Sequence, residues 1–240
     1  MTLISDLIAN EERSKGVHHA GTISNKNITR FEMVIKKFHP NEIINTLETG
    51  CGKSTVLFSN LSKSHVAFCL DDRSLSDSSV SYATKFDCFQ ASKVKFEFGP
   101  TQLTLPKFQS FKKYDCILID GPHGYPFPSL EYYFLYPHLG AGALLFIDDV
   151  HIPSIGFMFD ILKEDDMFEF LGFIGFTGVL KRTGSRTFDP CGDGWWLQNF
   201  NRRRCNPSMT FYLDDKKILK STYELIQNFS ALKQYQLEDF

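Results

Sequence analysis

Four short apolar runs in this chain each end on an acid. Ile43 to Leu47 is followed by Glu48, His65 to Leu70 by Asp71 and Asp72, Tyr114 to Ile119 by Asp120, and Ala143 to Ile147 by Asp148 and Asp149. Runs of this length are right for strands buried on both faces and too short for core helices. Between them lie amphipathic stretches of helical period. Strands that alternate with helices imply an α/β fold with a doubly wound, mostly parallel sheet. Ligands bind such sheets beyond the carboxyl ends of the strands, so the acids are expected to share one rim.

The remaining segments fit that plan. Leu3 to Arg13 carries apolar residues at helical spacing, and Thr29 to Phe38 places Phe31, Val34, Ile35 and Phe38 on one face, with Thr29 as the expected cap. A helix is expected over 74–86, a strand over 94–98, a helix over 129–137, and a turn at Gly140-Ala-Gly142 before the fifth strand. Pro153 opens another helix. Residues 168–174 and 177–180 read as two strands joined at Gly175, which brings the sheet to seven strands with an antiparallel pair at its C-terminal end. Residues 223–232 read as a terminal helix. The chain divides into 1–28, a helix and a loop that can act as a lid; 29–186, the α/β domain; and 187–240, an extension suited to packing or to the substrate side.

With 240 residues, 42% of them hydrophobic, there is enough apolar surface for one sizeable core. A balance of 26 basic against 28 acidic residues argues against a nucleic-acid binder that works by charge. No run is long enough to span a bilayer, and the N-terminus lacks a basic region followed by an apolar block. The six cysteines show no C-x-x-C spacing and read as buried thiols in a reducing compartment. A cytoplasmic protein is the expectation; a homodimer is left open.

The first strand leads into Glu48-Thr-Gly50-Cys-Gly52-Lys-Ser54-Thr55. Gly50 and Gly52 allow a tight bend and let a ligand approach the main chain. The start of the following helix favours an anion. Gly52-Lys53-Ser54-Thr55 is similar to the end of a phosphate-binding P-loop, with Lys53 on phosphate. That loop needs a glycine five positions before the Gly-Lys pair, where this chain has Leu47. Asp120, Asp148 and Asp149, at two strand tips expected to be neighbours, would repel one another without a cation among them, and hard oxygen donors suit Mg²⁺, Mn²⁺ or Ca²⁺. Alternatively each acid caps the helix that follows, and the chain is a non-catalytic binding protein.

Taken together, Glu48-x-Gly50-x-Gly52-x-Ser54, Asp71, Leu-Ile-Asp120-Gly-Pro-His123 and Gly142-Ala-Leu-Leu-Phe-Ile-Asp148-Asp149-Val-His151 resemble the class I S-adenosylmethionine-dependent methyltransferases. Within that class they are most similar to metal-dependent O-methyltransferases of the catechol and macrolide-sugar type. The resemblance spans roughly Thr29 to Arg182 and implies a Rossmann-like fold. It implies S-adenosylmethionine as cofactor, held by Glu48, Gly50, Gly52, Ser54, Asp71 and Asp72, with Pro100, Thr101 and Asp120 nearby. It implies Mg²⁺ or another divalent cation on Asp120, Asp148 and Asp149, and a small hydroxylated molecule as substrate. The catechol-type enzymes have a lysine as general base three residues after the first metal acid. Here His123 stands there, with His151 a second candidate, and a histidine can take that role.

Overall fold

The structure, a computed structural model, describes residues 3–15, 23–40, 43–186, 194–204, 221–222, 224 and 235–237. Its centre is a seven-stranded sheet of β1 (Ile43–Thr49), β2 (Ser62–Cys69), β3 (Val94–Phe98), β4 (Tyr114–Ile119), β5 (Leu139–Ile147), β6 (Phe168–Ile174) and β7 (Thr177–Arg182). The order across the sheet is β3-β2-β1-β4-β5-β7-β6. The first five strands pair in parallel, and β7 runs antiparallel to both β5 and β6. The chain order reverses between β1 and β4, which opens a crevice at their carboxyl ends. The Rossmann-like arrangement expected from the sequence is therefore the one observed.

The α-helices among the described residues are α1 (Ile4–Lys15), α2 (Asn25–Phe38), α3 (Lys53–Leu61), α4 (Ser79–Thr84), α5 (Thr101–Thr104), α6 (Phe127–Leu135), α7 (Pro153–Leu162) and α8 (Asn199–Arg204). Successive strand residues point to opposite faces, so each central strand feeds two cores. Leu47, Ile117 and Leu145 pack with Leu135 of α6 and Phe159 of α7. Cys116, Leu118, Leu144 and Phe146 pack with Ile8, Phe31, Val34 and Phe58 from α1, α2 and α3. Phe31 stacks on Phe146 at 4.8 Å between ring centroids. Burial of side chains of this size contributes about 2 kcal/mol each.

Local chemistry moved several boundaries. Helix α2 begins at Asn25, because Ser24, and not Thr29, accepts the Asn27 amide as its cap; Thr29 donates back to the Asn25 carbonyl inside the helix. The 74–86 helix shrinks to α4, since Asp72 and Ser78 hold the preceding residues in a turn. β5 starts at Leu139 and runs through Gly140 and Gly142, because pairing with β4 already begins at Tyr114 and Leu139. The helix expected over 223–232 lies outside the described residues. In the tail, Phe173 donates to the Tyr235 carbonyl and accepts from the Leu237 amide, which lays Tyr235 to Leu237 along β6. Arg203 and Arg204 clamp the buried Glu164, tying α8 to the end of α7. Among the described residues no helix is long and apolar enough to cross a membrane.

Candidate functional site

The carboxyl ends of β1, β2, β3 and β4 enclose a cleft of about 740 Å³. Its walls include Gly50 and Cys51 after β1, Cys69, Leu70 and Asp72 at the end of β2, Gly99 to Gln102 after β3, and Asp120 to His123 after β4. Phe68 and Phe127 supply apolar surface. The described cleft therefore joins a glycine turn to the acidic strand tips, as the strand-end pattern requires.

Gly50 is demanded by the fold. Its φ is +90°, and a Cβ there would collide with the Asp120 carbonyl. Gly52 is different, because its backbone is extended and a Cβ there would meet nothing within 4 Å. It caps α3 and donates to the Thr55 hydroxyl at 2.9 Å. Thr55 in turn donates to Glu48. Glu48 also faces His65 Nε2 at 3.1 Å, and His65 Nδ1 meets the Thr46 hydroxyl at 2.8 Å. All four side chains are fully buried, directly under the turn. One Glu48 oxygen, Oε2, has no partner. Ser54 is buried in the first turn of α3 and does not line the cleft.

After β2 the two acids separate. Asp71 is exposed and grips Arg73 with bonds of 2.7 and 2.6 Å, which hold its carboxyl below the usual range. Asp72 lines the cleft, but its carboxylate accepts from the Ser78 hydroxyl and the Ser79 amide. Pro100 and Thr101 both line the cleft, and the Thr101 hydroxyl is buried without a partner. Lys53 turns away from the cleft. Its ammonium lies 3.0 Å from Glu12 of α1 and 3.0 Å from Asn25, so a phosphate would have to displace two partners.

The ends of β4 and β5 form the charged part of the site. Asp120, His123 and Asp149 each offer a ligand atom, all within 4.8 Å of one another. His123 Nε2 is 3.1 Å from Asp149 and 4.0 Å from Asp120. Burial raises the Asp120 carboxyl far above its usual range, and the nearby charges of Asp148, Glu48 and Asp149 add to the shift. Asp120, with Asp149 and Asp148 behind it, holds His123 above its usual value. Asp148 faces elsewhere and accepts from the Thr177 hydroxyl at 2.5 Å. Burial raises its carboxyl too. The divergence of the two adjacent acids comes from Asp149, which has a φ of 54°, a left-handed conformation that is rare outside glycine. His151 Nδ1 approaches Asp149 at 3.5 Å, and its ring lies 4.5 Å from that of Phe176.

Two carboxylates and an imidazole within that span suit a divalent cation; no other described group of three such side chains is close enough to do so. Sequence reasoning did not find the floor beneath this cluster, which is made by Thr49 and Glu131. The available signal was the lone acid in Phe127-Pro-Ser-Leu-Glu131-Tyr-Tyr-Phe-Leu135, a helix that has no other charged side chain.

Comparison with known proteins follows the same lines. A family model described as a methyltransferase domain matches residues 47–150. No curated protein sequence matches the chain. Among solved structures, a Podospora anserina methyltransferase bound to S-adenosylhomocysteine is 15% identical, with a TM-score of 0.56 over 78% of this chain and 89% of its own. An O-methyltransferase from Streptomyces achromogenes involved in tomaymycin synthesis, in complex with SAM, is 13% identical, with a TM-score of 0.55 over 77% and 91%. An O-methyltransferase from Bacillus cereus in complex with SAH is 12% identical, with a TM-score of 0.54 over 75% and 90%. Likeness at this identity establishes the fold.

Proposed function

We propose that this chain, which carries a methyltransferase domain over residues 47–150, moves the methyl group of S-adenosylmethionine to a hydroxyl of a small molecule, with a divalent cation at Asp120 and Asp149. The observation that carries the reading is the Asp120–His123–Asp149 cluster, two members of which, Asp120 and His123, line the same cleft as Gly50. Solved structures that share the overall fold hold SAM or SAH, which supports the choice of cofactor.

The cofactor would lie over Gly50 and Gly52, where the open space above Gly52 is not needed by the protein itself. The buried, unpartnered Thr101 hydroxyl can take a polar atom of the nucleoside. Asp71 can turn to ribose hydroxyls on releasing Arg73, an exposed pair that holds it only weakly. Asp120, Asp149 and His123 would hold the cation, with Asp148 kept behind them by Thr177. The cation supplies Lewis acidity that lowers the pKa of a bound hydroxyl. His151, outside the cluster and 3.5 Å from Asp149, would take the hydroxyl proton. The exposed rings of Phe176 and Tyr125 would wall the acceptor side.

Calorimetric titration with S-adenosylhomocysteine tests the cofactor, and saturable binding is expected. No heat at high micromolar ligand would sink the proposal. Methyl transfer to a panel of hydroxylated acceptors should fall by about 10²-fold or more in Asp149→Ala, and by as much in chelator. Activity that is indifferent to chelator would remove the cation and leave the transferase.

A further inference from the structure

Directly under the cation cluster lies a carboxyl group that the proposed reaction does not use. Glu131 of α6 is 1% exposed and touches the ends of two strands. Its Oε2 accepts the Thr49 hydroxyl proton at 2.8 Å. The same hydroxyl oxygen accepts the Asp120 amide at 3.0 Å. A threonine hydroxyl has one proton, so giving it to Glu131 leaves only lone pairs to face Asp120. The carboxylate therefore fixes the direction of the second bond. A Cβ on Gly121 would run into the Glu131 carboxylate, so a larger residue after Asp120 would have to push that carboxylate out of place. On the other side the Asp120 carbonyl rests against Gly50.

We infer that Glu131 is a positioning residue, which acts through Thr49 to lock the Asp120–Gly121 backbone and so aims the Asp120 carboxylate into the cation cluster. The inference rests on the cation reading only in its last step; the lock itself is a property of the free protein. An unpaired carboxylate oxygen in a fully buried place is costly. Glu131 Oε1 is such an atom. A helix packed purely for stability would carry an apolar residue there, and its neighbours in α6 do.

The test uses Thr49→Val, Glu131→Leu and Glu131→Gln in the full chain, with amide hydrogen exchange, Mn²⁺ binding followed by water relaxation, and calorimetry with S-adenosylhomocysteine. In Thr49→Val the Asp120 amide should exchange at least about tenfold faster than in the parent, while Leu118 keeps its protection. Mn²⁺ should bind about tenfold more weakly, with S-adenosylhomocysteine affinity changed by less than about threefold. Glu131→Leu should reproduce both losses. Glu131→Gln, which keeps an acceptor oxygen, should restore both to near the parent. If Glu131→Leu or Thr49→Val leaves Asp120 exchange and Mn²⁺ affinity unchanged, or merely lowers the melting temperature, the inference fails. Should Glu131→Leu not fold, Thr49→Val and Glu131→Gln decide it alone. A parent protein that binds neither Mn²⁺ nor S-adenosylhomocysteine would overturn the proposed function instead, while exchange at Asp120 would still decide the lock.

Discussion

At the end of β1, Glu48 is wholly buried and meets Thr55 and His65; at the ends of β4 and β5, Asp120 and Asp149 lie partly open with a single histidine between them. The first carboxylate is built into a chain of side chains that runs from Thr46 to the Gly52 amide. Its Oε1 takes both Thr55 and His65 in bracing the turn, while Oε2 has no partner. The second group is crowded, raised in pKa at Asp120, and bent into an uncommon backbone conformation at Asp149. Strain and uncompensated charge gather where a ligand supplies what the protein lacks. The contrast separates scaffold from chemistry within one rim.

The contrast can be broken most directly at His65. Replacing it by leucine leaves Glu48 buried beside a group that cannot pair with it. Such a break costs about 3 kcal/mol or more. Urea unfolding should show it; a protein that loses nothing would mean that the Glu48 network is no brace.

Glu131 sharpens the boundary between the two regions. Burial raises its carboxyl from an ordinary 4.5 to about 7, although the hydrogen bond from the Thr49 hydroxyl pulls it the other way. The folded chain therefore holds a proton there between about pH 4.5 and 7 that the unfolded chain releases. Its contribution is complete below that window and is lost as the pH rises through it, on the order of 3 kcal/mol in all. Glu131→Gln should remove this part of the slope in unfolding measurements at pH 4.5, 6 and 7.5. An unchanged slope would show that the carboxyl titrates normally.

The smallest effect is expected at the rim. Asp149→Ala removes one of several like charges but leaves a left-handed backbone that alanine accepts no better than aspartate, so the loss of transfer should come with only a small loss of stability, within about 1 kcal/mol by thermal melting. A large drop would make Asp149 part of the scaffold and erase the contrast.

Much of this was legible in the chain. Apolar runs that end on acids placed the parallel strands and their shared rim, and the glycines located the bend. Those signals are local and periodic, so they survive without a partner segment. The sequence also marked His123 and His151, because each follows an acid within three residues. It could not show that Asp148 turns to Thr177 while His123 moves in beside Asp149, since that choice depends on one backbone angle at Asp149. Nor could it show that Lys53 is taken by Glu12, or that Glu131 lies under Asp120. Those pairs are separated by 41 residues in one case and, through Thr49, by 82 and 71 in the other.

The sequence by itself determined the strands, their polarity and the end of the sheet at which polar groups collect, because side-chain period and turn chemistry act over a few residues. The tertiary structure decided which acids share a charge and which are spent on the scaffold. Burial and pairing across distant segments set the cost of each carboxylate, and no local pattern carries that information.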